Sequence, residues 1–153
     1  MERNRASRLG GARSVAMNDI SSAWLDTNVI VRYLVADDPL LADKATTIVE
    51  QSARLLVNTA VLAESSYVMT SVYGRPRADV IDALSEFVAR HNIRIPGVEK
   101  AYVLDALRRC RDSGRISIVD ALLWAEARSS HGKTIYTFDG RFPGEGVQLL
   151  GLD

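Results

Sequence analysis

The sequence has few of the side chains that form disulfides or bind soft metals. Its only cysteine is Cys110, and its only histidines are His91 and His131. A single cysteine excludes an internal disulfide and a cysteine-based zinc cluster, and two histidines argue against a His-rich metal site. The lack of a disulfide fits a reducing compartment, so we expect a cytoplasmic protein.

Long apolar runs and a net charge are also missing. No apolar run approaches the roughly 20 residues that a membrane helix needs, so we expect no membrane partner. The 19 basic and 19 acidic side chains cancel, although residues 1–16 hold four arginines against one glutamate. Because global charge does not indicate a nucleic-acid partner, phosphate contacts would have to come from a local patch or from bound cations.

The length of 153 residues suits one domain with a substantial core. Residues 1–20 lack apolar periodicity, and no apolar segment follows their arginines, which argues against a secretory signal. We expect these residues to be a disordered extension, or one added by a wrongly assigned start, with translation beginning at Met17. The folded domain is placed at residues 21–153.

Short apolar runs alternate with amphipathic segments along the rest of the chain. Strands are predicted at 23–26, 55–58, 93–95, 134–138 and 147–150. Helices are predicted at 28–35, from Pro39 onward, and at 59–73, 77–90, 98–110 and 117–131. This alternation predicts a three-layer α/β/α sandwich with a mainly parallel central sheet.

Three features within these elements are also predicted. Asp38 and Thr59 would cap the helices that follow them. The second helix would bury an apolar stripe made of Leu40, Leu41, Ala45, Ile48 and Val49. Most of the larger aromatic side chains are expected in the core: Trp24, Tyr33, Tyr67, Tyr73 and Trp124.

Four acidic residues stand at or near predicted strand ends or helix starts. Asp26 ends the first strand, Glu64 lies in the first turns after the second, and Asp139 directly follows the fourth. Asp120 lies near the start of the last predicted helix. In open α/β sheets, binding sites form outside the carboxyl ends of the strands, so all four side chains can face one crevice.

Each acid alone has an ordinary explanation. Asp26 could cap a helix, Glu64 could be a solvated helical residue, and Asp139 could start a turn. Asp120 interrupts an apolar segment, where an unpaired carboxylate is costly. Taken together, clustered like charges favour a divalent cation, and oxygen-only ligation suits Mg²⁺ or Mn²⁺. Such ions activate water and orient phosphodiesters, so the chemistry indicated is phosphodiester hydrolysis.

Over about residues 22–142 the sequence resembles PIN-domain ribonucleases, and specifically the VapC-like toxins of type II toxin–antitoxin pairs. The resemblance rests on segments whose order and spacing are specific together: 25–28 with 31–34, 37–39, 61–64, 119–122, and 137–139 followed by Phe142.

The resemblance implies that Asp26, Glu64, Asp120 and Asp139 are catalytic residues that bind Mg²⁺ or Mn²⁺. It implies that Asn28 and Thr137 support them, although helix capping and strand-end hydrogen bonding are alternative roles. It further implies a metal-dependent endoribonuclease that acts on RNA, forms a homodimer, and is inhibited by a cognate antitoxin whose tail occupies the acidic groove.

One position departs from the family. Relatives often carry another acid three residues before the aspartate at 120, where this chain has Ser117. Serine can still cap the helix, so the fold should survive, but an accessory charge is missing.

Other functions stay open. The domain could be a PIN-like module that binds RNA or protein without cutting. A haloacid-dehalogenase-type phosphohydrolase is less favoured because its second acid would stand where this chain has Asn28. A Rossmann nucleotide binder is disfavoured because no glycine-rich motif follows the first strand. A group of arginines could contact RNA phosphates or form a solvated helix end: Arg108, Arg109, Arg111 and Arg115.

Overall fold

The computed structural model describes residues 21–151, so the predicted extension at residues 1–20 lies outside the described part of the chain. The strands are β1 (Ala23–Trp24), β2 (Leu55–Leu56), β3 (Ile93–Arg94), β4 (Thr134–Tyr136) and β5 (Gln148–Leu150). The helices are α1 (Thr27–Val35), α2 (Pro39–Gln51), α3 (Thr59–Tyr67), α4 (Arg77–Ala89), α5 (Lys100–Asp112) and α6 (Ile118–Ser129). A π-helical segment, Val68–Val72, continues α3.

All strand pairs within the described residues are parallel, as predicted. The strands β1, β2 and β3 form one sheet in that order, with Ala23 opposite Leu55 and Leu55 opposite Ile93. The strands β4 and β5 form a second parallel pair. The predicted α/β/α class is therefore confirmed, although the strands are shorter than predicted and fall into two hydrogen-bonded groups.

The core is one cluster of buried apolar side chains from the helices and the strands. The apolar residues of α4 recur at helical spacing, so one side of the helix is buried: Val80, Ile81, Leu84, Phe87 and Val88. Leu25, Leu55 and Ile93, at the three parallel strands, have buried side chains in the same core.

The predicted stripe of α2 is wrong at its first two residues. Leu40 and Leu41 are exposed, whereas Ala42, Ala45 and Val49 are buried. Leu40 lies two residues before Ala42, roughly 200° around the helix, so it points away from the buried side. The cap of α2 is as predicted, because the Leu41 N–H donates to the Asp38 carboxylate at 3.0 Å.

Two aromatic residues and one cap also differ from the prediction. Trp24 and Tyr67 are exposed rather than packed in the core. Trp24 follows Ala23 and precedes the buried Leu25, so strand alternation turns its ring to the opposite face. Asn58, rather than Thr59, caps α3 by accepting from the Val61 N–H at 2.8 Å. None of the helices in residues 21–151 is long and apolar enough to cross a bilayer.

Candidate active site

Asp26 lies at the carboxyl end of β1, immediately before α1. Its extended backbone allows its carbonyl oxygen to accept from Val29 and Ile30, but its side chain makes no capping hydrogen bond. Instead, Asn28 Nδ2 donates to Asp26 Oδ2 at 3.4 Å. Side-chain capping therefore does not account for this exposed carboxylate, and Asn28 orients it.

Glu64 is held at the same junction by a residue to which the sequence had assigned no role. The hydroxyl of buried Thr27 donates to Glu64 Oε2 at 2.6 Å, across 37 positions of sequence. This contact joins the start of α1 to α3. It places the Glu64 carboxylate beside Thr27, the residue that directly follows Asp26 in the sequence. Glu64 is therefore not simply a solvated helical side chain.

Asp120 is fixed by Ser117, the residue at the position where the resemblance predicts an additional acid. The Asp120 N–H donates to Ser117 Oγ at 3.0 Å, and the Ser117 hydroxyl donates to Asp120 Oδ2 at 2.7 Å. Ser117 thus caps α6, as the sequence predicted, and also orients the half-buried carboxylate in its first turn.

Side chains of α4 and α5 hold the loop that carries Ser117. Arg77 donates through Nε to the Cys110 carbonyl at 3.2 Å and through Nη2 to the Ile116 carbonyl at 2.6 Å. The Cys110 thiol donates to the Ser117 carbonyl at 3.4 Å. Burial raises the pKa of the Cys110 thiol to about 11, so the protonated thiol is a packing group and a donor.

Asp139 follows β4 and is paired with a cation within its own turn. Its Oδ1 accepts from the Arg141 backbone N–H at 2.9 Å and from Arg141 Nε at 3.2 Å. These two bonds, the backbone one first, hold the pKa of the Asp139 carboxyl below its usual range. Thr137 Oγ1 accepts from the Asp139 N–H at 3.0 Å, so Thr137 fixes the backbone of this acid.

The four acids share an oxygen-only donor chemistry that fits Mg²⁺ or Mn²⁺, but they are not gathered into a ligand cluster. Within residues 21–151, no three Asp, Glu, His or Cys side chains lie close enough together to hold a metal ion. Each acid has its own hydroxyl or amide neighbour instead. Closing a cation site would require the carboxylates to move towards one another.

The arginines at the end of α5 have acidic partners that the sequence did not reveal. Arg108 and Arg109 both pair with Asp105, and Arg109 also pairs with Glu145. Arg111 donates to both oxygens of a side chain on α4, Asp82, at 2.6 and 3.0 Å. These contacts tie α5 to its neighbours; the side chain of Arg115 is exposed.

The comparisons with known proteins identify the family. The family model of the PIN domain matches residues 23–144, a span that runs from β1 past β4 and includes all four acids. Searches of curated proteins and of solved structures returned no significant match. The PIN domain has a nuclease-type fold, and its members are usually nucleases that act on nucleic acid. This chain belongs to the PIN domain family.

Proposed function

We propose that the protein is a metal-dependent endoribonuclease that hydrolyses RNA phosphodiester bonds. The observation that carries the proposal is the Thr27–Glu64 hydrogen bond of 2.6 Å, which brings a carboxylate from α3 to the junction that holds Asp26. This junction lies at the carboxyl end of a parallel strand, where sites form in α/β sheets.

In this proposal Asp26, Glu64, Asp120 and Asp139 would hold Mg²⁺ or Mn²⁺, which would supply charge neutralisation and an activated water at the phosphodiester. The chain's own contribution is orientation. Asn28, Thr27 and Ser117 each donate to one oxygen of a neighbouring acid. The second oxygen of each of these acids makes no hydrogen bond within residues 21–151 and stays available as a ligand. Such supporting bonds fix the direction of a carboxylate before it binds.

The test is cleavage of total RNA by the purified protein, free of antitoxin, with Mg²⁺, with Mn²⁺ and with a chelator. Asp26→Asn should lower the cleavage rate by about 100-fold or more, because even residues that only support ligands are worth about 10–100-fold. Asp43→Asn, at an exposed position on α2, is the matched control and should cleave like the parent. Equal cleavage by Asp26→Asn would show that the site is wrong.

A non-catalytic RNA-binding module is the competing proposal. The separation of the acids supports it, since no three of them are grouped as metal ligands within the described residues. The same experiment distinguishes the two functions. RNA that binds the parent protein but stays intact after Mn²⁺ addition favours the binding module over the nuclease.

We also propose that the protein is the toxin of a toxin–antitoxin pair and acts in the cytoplasm on RNA. The resemblance of its acidic motifs to those of VapC-like toxins supports this assignment. Expression in a bacterial host should arrest growth, and co-expression of a short protein encoded immediately upstream should restore it. Growth arrest that persists in Asp26→Asn would separate toxicity from the proposed nuclease site.

A homodimer is part of the same proposal. Tyr67 on α3 and Val119 and Leu123 on α6 are exposed apolar side chains. The two helices pack together and leave a shallow groove, lined by Thr59, Ala60, Ala63, Val119, Leu122, Leu123 and Glu126. Light scattering should give a dimer for the parent and a monomer for Leu123→Glu. Leu40→Glu, at an exposed leucine on α2, should remain a dimer.

A further inference from the structure

Two aromatic side chains next to Asp139 are exposed to an unusual degree. Tyr136 is 81% exposed and Phe138 is 93% exposed, the highest values among the large hydrophobic residues described. Tyr136 is the last residue of β4, next to buried Ile135, and Phe138 follows two residues later at a bend beyond the strand. Both exposed rings therefore lie on residues adjacent to Thr137, at the end of β4 that leads to Asp139.

This pair of rings is attached to the candidate site by the residue between them. The Thr137 N–H donates to the Leu150 carbonyl of β5 at 2.9 Å, which fixes the segment to its neighbouring strand. The Thr137 hydroxyl accepts from the Asp139 N–H at 3.0 Å. The backbone between the two rings is therefore fixed relative to the Asp139 backbone by hydrogen bonds.

Gly151 lies beside the ring of Phe138. Gly151 has φ +91°, and a Cβ built on it would lie 3.4 Å from Phe138 Cε1 and 3.1 Å from the Thr137 carbonyl oxygen. The backbone of Gly151 therefore lies close beside Phe138, while most of the ring faces outward. Phe138 is 93% exposed beside this backbone and offers its aromatic surface to solvent.

The surroundings favour nucleic acid as the occupant of this surface. Lys133 and Arg141 stand at the two ends of the segment and are exposed, and the Arg141 side chain keeps 70% of its surface while it pairs with Asp139. Aromatic faces combined with cations are the composition of surfaces that bind single strands, where bases stack and phosphates are neutralised. The exposed cations at both ends of the segment favour a polyanion such as RNA over a protein partner.

We propose that Tyr136 and Phe138 form a stacking platform for unpaired bases of single-stranded RNA beside Asp139. This inference rests on the proposed function in that RNA is the substrate. It also specifies the substrate class, because bases within a duplex are not free to stack on protein side chains. The nuclease should therefore bind single strands in preference to duplexes of the same sequence.

The experiment compares two fluorescent RNAs that have the same backbone, using the full chain in a chelator so that no cleavage occurs. One is an unstructured oligonucleotide, and the other carries abasic ribose at its central positions. In fluorescence anisotropy the parent should bind the complete RNA at least about tenfold more tightly, since one stacked base contributes about that much. The double variant Tyr136→Ala/Phe138→Ala should lose this preference.

Two further variants separate stacking from a general loss of structure. Tyr136→Phe/Phe138→Tyr keeps both rings and should keep the preference for complete RNA. Trp24→Ala removes another exposed ring, 61% exposed on β1, and should also keep it. If the double alanine variant does not fold, equal binding of the two RNAs by the parent still overturns the platform.

The platform is overturned if the parent binds complete and abasic RNA equally, or binds neither. It is also overturned if the double alanine variant keeps the base preference but changes from dimer to monomer, since the rings would then be a protein contact. Metal-dependent cleavage with equal binding would leave the proposed nuclease standing and remove only the platform. Base-dependent binding without cleavage would support the platform and remove the nuclease.

Discussion

At the scale of single residues, Ser117 is the most informative departure from the family pattern. It accepts the Asp120 N–H and donates to the Asp120 carboxylate, so it serves as both cap and orienting group. Ser117→Ala should lower the free energy of unfolding by about 1 kcal/mol, the usual contribution of such a cap. Ser117→Asp should recover only part of it, because aspartate caps equally well but cannot donate to the Asp120 carboxylate and repels it.

Urea unfolding followed by circular dichroism measures this effect. Ser85→Ala is the control, because the Ser85 hydroxyl bonds only the Ile81 carbonyl of its own helix within residues 21–151. An unfolding free energy for Ser117→Ala that equals that of Ser85→Ala would contradict the capping role.

Cys110 gives the chain a predictable response to alkaline pH. Burial raises the pKa of its thiol from 9.0 to about 11, so the unfolded chain loses this proton at a lower pH than the folded chain. The resulting contribution to stability is fully present below pH 9 and is lost as pH rises through about 11. The parent should therefore lose stability relative to Cys110→Ala across this window, in unfolding series at pH 7, 9 and 10.5. A constant difference between the two proteins would contradict the raised pKa.

At the scale of elements, Arg77 connects α4 to the loop before α6. We expect Arg77→Met to loosen that loop, because the variant loses both bonds to the Cys110 and Ile116 carbonyls. The Asp120 amide, which donates to Ser117, should then exchange its hydrogen faster in the folded state.

Arg111→Met is a matched control for this measurement. Arg111 also bridges α4 and α5, through Asp82, but it does not contact the Ser117 loop. In Arg111→Met, hydrogen exchange at the Asp120 amide should change no more than the global stability of the domain does. Equal acceleration in both variants would indicate general destabilisation of the helix pair, not a positioning role for Arg77.

The buried side of a helix with strong apolar periodicity could be predicted from the sequence. The contacts of an element with its neighbours could not. The buried side of α4 follows from apolar spacing alone, because a helix of 13 residues presents one face several times over. Trp24 was misjudged because β1 has only two residues, and its outer face is not covered enough to bury an indole. The strands were predicted longer than they are. Hydrogen bonds of the ladder nevertheless continue past the ends of β1 and β2, at Leu25 and Val57.

The four acids could be proposed from sequence because Asp26 and Asp139 follow strands, Asp120 starts a helix, and Glu64 lies in the helix that follows a strand. Their supporting contacts could not. Thr27 and Glu64 are separated by 37 positions, and no local pattern indicates that their side chains meet. The same holds for Arg111 and Asp82, 29 positions apart. Long-range polar pairs depend on how the helices dock, which the hydrophobic pattern determines only approximately.

At the scale of the whole molecule, the four acids come from separate parts of the fold. Asp26 follows β1, Asp139 follows β4, and Glu64 and Asp120 lie on the packed helices α3 and α6. Within the described residues no three of these acids already form a ligand group. An ion that binds them must therefore draw together elements from across the fold, and its binding energy becomes stability of the folded domain.

Mn²⁺ should therefore raise the Tm of the parent in a chelator-free buffer. A ligand at 100 times its Kd stabilises the folded state by about 2.7 kcal/mol, or roughly 5–10 °C for a domain of this size. Asp26→Asn should lose most of this shift because a ligand is removed, whereas Asp43→Asn on α2 should keep it. Differential scanning calorimetry with increasing Mn²⁺ measures the shift without requiring any cleavage. An equal rise in Asp26→Asn would place the ion elsewhere, because a site that depends on Asp26 cannot stabilise a protein that lacks its carboxylate.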